Sequence, residues 1–379
     1  MTGPVVGDDG ARVLAWLRAL PGAAPLLDEL SRHPGVHVVG GAVRDALLQR
    51  PPRELDFVVE NDAAAVGGAL GAGAVVHDAF GTVTVRGVDL ASSRRERYPS
   101  PGALPAVETG VPLEEDLARR DFSVNAIAVR LEGGVVTEWP GAREDLAAET
   151  LRVLHPASFA DDPTRLLRMA RYAARLDFAP DPSTAALARA AVRGGALGTV
   201  SGSRLGAELR RLAAERQPAG MARLADHGVG EALLPGFDPA PVAAATALLT
   251  TSEVALAAAL QGVRGLRDRL DALAFPAPCR DAILAAVRDA PAAAAALQDA
   301  DWPLLRRLRP EAVALTGHPG AQRWLDELRH RSLAIDGDDL LAAGLSGPQI
   351  GEALDRAWRA HLDGRAPDRE TQLAAALES

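Results

Sequence analysis

Two carboxylates set two residues apart, Glu54 and Asp56 in Glu54-Leu55-Asp56-Phe57-Val58-Val59, are the side chains of this chain best suited to chemistry. On a strand, that spacing turns both acids to one face while Leu55, Phe57 and Val59 point into a core. Like charges held side by side raise one another's energy, so such a pair calls for a cation. Hard oxygen donors suit Mg2+, which takes one or two carboxylates and then substrate phosphates. A third acid, Asp89 in Val88-Asp89-Leu90, lies in a β-like run, and the turn dipeptide Arg86-Gly87 predicts a hairpin that delivers it beside the first two. The phosphates have a matching feature in Val38-Val39-Gly40-Gly41-Ala42-Val43-Arg44-Asp45, a strand running through two glycines into a helix. The glycines let backbone N–H groups and a helix N-terminus come close to phosphate oxygens.

The elements that must position these groups change in kind near residue 145. Up to Trp139, short strand-like runs at 36–39, 55–60, 74–76, 82–86, 88–91, 126–131 and 135–139 alternate with turns. Helical stretches at 42–49 and 61–70 intervene, which predicts a mixed α/β domain. Tyr98-Pro99-Ser100-Pro101-Gly102 opens a Pro/Gly-rich stretch, within 94–110, that reads as a mobile loop. After Asp145 the period is helical, with breaks at 180–182, 194–202, 235–241 and 275–278. The alanine run 292–296, entered through Pro291, reads as helix or linker. A length of 379 residues predicts two to four domains.

Composition narrows the class. Hydrophobic residues make up 48% but aromatic ones 4%, so the apolar mass is Ala, Leu and Val, suited to closely packed helices. All 41 basic residues are arginine, which a GC-rich coding bias explains. The single cysteine, Cys279, excludes an internal disulfide and a multi-cysteine zinc site. Asp8 and Asp9 stand where a signal peptide would carry cations, and no apolar run is long enough to span a bilayer. The expectation is a soluble, cytoplasmic protein with no membrane partner. A net charge of -9 argues against a polyanionic partner, yet residues 151–212 carry ten arginines against five acids. That basic middle fits a local nucleic-acid footprint and fits solvated helix faces equally well.

Taken in order, these motifs resemble those of the class II tRNA nucleotidyltransferases, the CCA-adding enzymes and their bacterial poly(A) polymerase relatives. Gly40-Gly41-Ala42-Val43-Arg44-Asp45 with Glu54-x-Asp56 is similar to the family's catalytic motif. Asp116-Leu117-Ala118-Arg119-Arg120-Asp121-Phe122-Ser123-Val124-Asn125-Ala126 resembles its ribose-recognising motif. The segment from Gly141 to Asp145-Leu146 resembles the hinge between head and neck. Leu151-Arg152-Val153-Leu154-His155, followed by Asp161-Asp162-Pro163-Thr164-Arg165-Leu166-Leu167-Arg168, resembles the nucleobase-reading motif. Ser201-Gly202-Ser203-Arg204 to Glu208-Leu209, and Gly337-Asp338-Asp339-Leu340-Leu341, resemble weaker body and tail signatures.

The resemblance implies an α+β fold: a polymerase β-like mixed-sheet nucleotidyltransferase head at 1–140, then a helical neck at 141–206, a body at 207–275 and a tRNA-binding tail at 276–379. It implies template-independent addition of CMP and AMP from CTP and ATP to the tRNA 3′ end. Glu54, Asp56 and Asp89 then hold two Mg2+ ions, one for the RNA 3′-hydroxyl and one for the leaving pyrophosphate. Gly40, Gly41 and Arg44 hold the triphosphate, and Asp121 with Arg119 or Arg120 meets the ribose 2′-hydroxyl. Asp162 and Arg165 form an acceptor–donor pair that fits cytosine and adenine, each with an amino donor beside a ring-nitrogen acceptor. Uracil and guanine present the reverse order and leave buried groups unpaired. Arg168, a further turn along the same face, reaches base or phosphates. Glu54 stands where the family usually has Asp, and its extra methylene shifts the carboxylate by about 1 Å, a change on the order of 10²-fold in rate.

Each motif also has a plainer reading. Gly40-Gly41 fits a tight strand-to-helix turn, and Glu54 with Asp56 fits a solvated strand face. Asp89 suits a hairpin surface, and Arg119-Arg120-Asp121 suits a local ion pair. Asp162-Pro163 fits a helix cap, which need not exclude base recognition. Arg165, Arg168, Arg171 and Arg175 read as an exposed charged stripe. His77-Asp78 looks like a phosphohydrolase dipeptide but has no partner His and Asp arrangement. Three functions follow: CCA addition, or only its CC or A step; poly(A) synthesis; and a catalytically weak RNA-binding nucleotide sensor. Arg306, Arg307, Arg309, Arg323, Arg329 and Arg331 are the candidate tRNA contacts of the tail.

Overall fold

Valine-rich alternation accounts for the sheet that carries the carboxylates. In the computed structural model, which describes residues 8–71, 74–77, 81–215 and 218–378, the strands are β1 (Val36–Val39), β2 (Asp56–Val59), β3 (Val75–His77), β4 (Thr82–Val85), β5 (Val88–Ser92), β6 (Arg94–Arg97), β7 (Ala106–Thr109), β8 (Ile127–Arg130) and β9 (Val136–Glu138). Seven form one sheet in the order β3-β4-β5-β2-β1-β8-β9, in which β2 and β5 run parallel and the other neighbours antiparallel. Asp78, and with it the His77-Asp78 dipeptide, lies outside the described residues.

The two faces of the sheet differ in what covers them. One packs Val38, Phe57, Val83 and Leu90 against helices α1 (Asp8–Arg18), α2 (Ala23–Leu30), α3 (Gly41–Leu47) and α4 (Ala63–Ala69). Leu17, Leu27, Val43 and Val66 supply the helix side of this core. Asp62 fixes the start of α4 by accepting from Ala64 N–H at 2.8 Å. The opposite face buries Val39, Val58 and Ala128 under Leu113 and Leu117 of α5 (Leu113–Ala118). The rest of it faces the candidate site.

Beyond the sheet come α6 (Ala142–Ala147), α7 (Ser158–Asp161), α8 (Thr164–Leu176) and α9 (Pro182–Arg193). The expected mobile loop at 94–110 is partly a β-hairpin instead. β6 and β7 pair antiparallel, with Arg95 opposite Glu108, and Arg95 also bonds Glu115 of α5. One cross-strand charge pair, Arg95 with Glu108, supports the backbone ladder of this hairpin.

The chain divides into two compact units, Met1–Val200 and Ser201–Ser379. The second is helical, from Gly202–Ala213 to Arg369–Leu377, with no strand among its described residues. Its longest helix, Ala277–Gln298, continues through Pro291 and includes the alanine run. Gly206 lies against the backbone of Leu273, where a Cβ would come within 1.9 Å of the carbonyl oxygen, far inside contact distance. Gly206→Ala is therefore expected to destabilise this unit by about 1–3 kcal/mol, measured as a lower urea midpoint. Among the described residues no helix is long and apolar enough to cross a membrane.

Candidate active site

Parallel pairing of β2 with β5 sets Asp56 directly opposite Asp89. Paired residues of neighbouring strands share a face, so both acids turn toward the side of the sheet away from the main core. The β4–β5 hairpin delivers Asp89 as expected, through a two-residue turn in which Arg86 and Gly87 both have positive φ (49° and 79°). Thr84 donates to Asp89 Oδ1 at 2.6 Å and fixes that carboxylate. Burial, together with Glu54 and Asp89, pushes Asp56 up to about 6 against the counter-pull of Arg120. Glu54 stands apart: the strand begins at Asp56, and Glu54 lies exposed before it, near enough to act through its charge. Among the described residues no three acidic, histidine or cysteine side chains form a ready-made metal cluster. Asp56 and Asp89 are nevertheless hard anionic donors that disfavour each other's charge, which is the chemistry a hard divalent cation relieves.

Asp56 and Asp89 open into a cavity of about 470 Å³, a volume suited to a small ligand. Gly40, Gly41, Arg119, Arg120, Asp121, Asp162, Arg165 and Arg168 also line it, so ten of the twelve residues singled out from sequence converge on one space. Gly40 has φ 66° and ψ −127°, a conformation that side chains resist, and a Cβ there would meet Arg120 Nη1 at 2.8 Å. Arg44 is not at the wall. It is buried with 1% exposure, and its guanidinium meets Asp45 Oδ1 (Nε at 2.8 Å) and Asn125 Oδ1 (Nη1 at 2.6 Å). Its geometry is that of a brace between α3 and the Ser123–Asn125 turn.

Arg119 and Arg120 are anchored by a residue that the ribose-like motif included without giving it a role. Asp116, fully buried, accepts from Arg119 Nε at 2.9 Å and from Arg120 Nη2 at 3.0 Å. Burial alone would raise the Asp116 carboxyl, but Arg120 and Arg119 hold it below the ordinary value. Glu96 of β6 accepts from Arg119 Nη1 at 2.9 Å and from the Tyr98 hydroxyl at 3.0 Å. The signal for Asp116 was its i,i+3 and i,i+4 spacing to the two arginines. Glu96 is more than twenty residues away and had none.

Helix α8 brings the remaining groups. The arginine stripe is not an exposed face: Arg165 and Arg171 are buried, at 4% and 7% exposure. Arg165 donates to Ser158 Oγ and to the carbonyl of Arg119, both at 2.6 Å. Asp162 accepts from Thr164 N–H at 3.0 Å in a local turn before α8, whose cap position falls on Pro163 and not on Asp162 as the sequence suggested. Arg168 meets Asp121 and the hydroxyl of Tyr172. Asn125, which the ribose-like motif included without a role, and Tyr172, which had no sequence signal, are further cavity residues.

Residues 36–152, which include the sheet and its carboxylates, match the family described as the poly A polymerase head domain. Over 377 aligned residues the chain is 36% identical to the CC-adding tRNA nucleotidyltransferase of Deinococcus radiodurans, an alignment that covers 94% of this chain and 91% of that protein. This chain belongs to the tRNA nucleotidyltransferase family. An A-adding tRNA nucleotidyltransferase of Geobacter sulfurreducens is 34% identical over 90% of this chain, which spans only 45% of that longer protein. The solved CCA-adding enzyme of Thermotoga maritima, complexed with tRNA, superposes with a TM-score of 0.76 at 27% identity, covering 97% of this chain and 98% of that one. As a tRNA nucleotidyltransferase the protein is an enzyme, and its mixed-sheet head followed by helices is the family fold. The reading as a non-enzymatic nucleotide sensor is thereby set aside.

Proposed function

We propose that this nucleotidyltransferase adds CMP and then AMP, from CTP and ATP, to the 3′ end of tRNA without a template. The observation that carries the proposal is the opening of Asp56 and Asp89 into the same cavity as Asp162, Arg165 and Arg168. Carboxylates for the reacting phosphate and groups for the base thus share one space of nucleotide size. Asp56 and Asp89, with Glu54 at the edge, would hold two Mg2+ ions, which would supply the positive charge for activating a 3′-hydroxyl and for stabilising departing pyrophosphate. Gly40 and Gly41 leave room for phosphate oxygens at one end of the cavity. Arg119 and Arg120, fixed by Asp116, present positive charge toward the same nucleotide. Arg44 supports the site by holding Asn125 in place. Within this reading, 1–140 is the head, 141–206 the neck, 207–275 the body and 276–379 the tail that takes the tRNA by shape and phosphate contacts.

A second reading, addition of C alone, is favoured by the CC-adding relative that aligns along nearly all of both chains. Incorporation of labelled CTP or ATP onto tRNA lacking CCA, tRNA ending in C and tRNA ending in CC separates the two. Ordered use of both nucleotides supports complete CCA synthesis. Use of CTP alone supports the CC reading, and long A tails contradict both in favour of a poly(A) polymerase.

The raised Asp56 carboxyl gives a pH prediction. A proton and a cation compete for the same oxygens, and near pH 6 the proton begins to win. The Mg2+ concentration for half-maximal incorporation should rise about fourfold between pH 7.5 and 5.5. A Mg2+ requirement that stays flat over this range contradicts the assignment.

A further inference from the structure

Antiparallel pairing of β4 with β5 sets Thr84 directly opposite Asp89, and parallel pairing of β5 with β2 sets Asp89 opposite Asp56. The three residues therefore form one row across neighbouring strands, with Asp89 in the middle. Their shared face is the one turned away from the main core, because Val83 and Val85, which alternate with Thr84 along β4, are buried in that core. Along this row the Thr84 hydroxyl donates to Asp89 Oδ1 at 2.6 Å. A hydroxyl has one proton to give, and here it is committed to Asp89. The donor is stiff as well, since the branched Cβ of threonine restricts its χ1.

Asp89 needs such a restraint more than Asp56 does. It is exposed, whereas Asp56 is half-buried. The terminal torsion of an aspartate has a broad minimum, so an exposed carboxylate on a strand turns unless a bond holds it. One hydrogen bond uses one of the carboxylate's roughly four acceptor sites and leaves the others open to a cation. Thr84 itself stands outside the cavity wall: among the described residues Thr82 and Asp89 line it and Thr84 does not. What its hydroxyl contributes to the site therefore passes through Asp89.

We propose that Thr84 is a positioning residue for nucleotidyl transfer: its hydroxyl holds the Asp89 carboxylate in register with Asp56, so that the two acids take a divalent cation together. The inference rests on the assignment of these acids to Mg2+ in the function proposed above. Its test measures Mn2+ binding to nucleotide-free protein, from the electron paramagnetic resonance of free Mn2+, in the wild type, Thr84→Val and Thr84→Ser. Mn2+ takes the same hard oxygen ligands as Mg2+, and Asp89→Asn gives the background from other acids. The dissociation constant should rise about tenfold in Thr84→Val, which keeps the branched shape and lacks the donor. It should stay within about twofold of the wild type in Thr84→Ser, which keeps the donor. The Mg2+ concentration for half-maximal CMP incorporation should rise in parallel, while KM for CTP at saturating Mg2+ moves by less than about twofold. Unchanged Mn2+ binding or an unchanged Mg2+ requirement in Thr84→Val overturns the proposal. So does an equal loss in Thr84→Ser, a larger shift in KM for CTP, or wild-type binding no tighter than that of Asp89→Asn. Should Thr84→Val fail to fold, Thr84→Ala, which also lacks the donor, is compared with Thr84→Ser in its place. A wild type that incorporates no CMP defeats the underlying function; a working wild type with discordant variants defeats only this inference.

Discussion

Asp56→Asn should lower CMP incorporation by roughly 10³-fold while leaving tRNA binding within about twofold. Asparagine keeps the shape of the side chain and removes the charge that Asp56 brings to the cavity beside Asp89. A loss of that size corresponds to about 4 kcal/mol of transition-state stabilisation, as expected when one preorganised charge is withdrawn. The same substitution should make the cation-free protein more stable. The folded Asp56 carboxyl is raised to about 6 from 3.8, so ionising it above pH 6 opposes folding. That penalty is absent below the unfolded value and fully present at pH 7.5. Removing the charge should therefore gain on the order of 1 kcal/mol at pH 7.5, read as a higher urea midpoint in chelator. An inactive variant that is also less stable would point to misfolding and not to a lost catalytic charge.

Asp116→Ala should be the most damaging change to the architecture of the site, lowering stability by about 3–5 kcal/mol. Asp116 has no exposed surface and is the shared partner of Arg119 and Arg120, whose side chains are 17% and 15% exposed. Truncation leaves two half-buried guanidinium groups without it and leaves the Arg94 N–H, which bonds Asp116 Oδ1 at 3.2 Å, short of an acceptor. Because the folded carboxyl is lower than its ordinary value of 3.8, its contribution is present above that value and lost as pH falls through the folded one. Urea denaturation should thus show a large gap between wild type and variant at pH 7 that narrows below pH 4. A constant gap at both pH values would mean that packing, not the ion pair, is responsible.

What could be read from the chain was mostly what is local in it. The period of Val36–Val39 and Asp56–Val59, the Arg86-Gly87 turn and the paired glycines at 40–41 are short-range signals, and each marks the element found there. The placement of Asp56 beside Asp89 followed from two such signals. Whether a charged stripe faces outward is not a local property. Arg165 and Arg171 have the spacing of a solvated helix face, yet they turn inward because Ser158, the Arg119 carbonyl and the Tyr172 ring receive them. The hairpin of Arg94–Arg97 with Ala106–Thr109 shows the converse: a strand of four charged residues, with no apolar alternation, looks like loop until its partner strand is known. Arg44 suits phosphate by residue type, and only the fold reveals that Asp45 and Asn125 occupy it.

Transfer of CMP to tRNA in the cavity that Asp56 and Asp89 open is the proposal on which the other roles depend. Its most direct test is incorporation of labelled CMP onto tRNA lacking CCA, with Mg2+ and again with excess chelator. Extension in Mg2+ and none in chelator is the expected result. No extension in Mg2+ by protein that still binds the tRNA would contradict it.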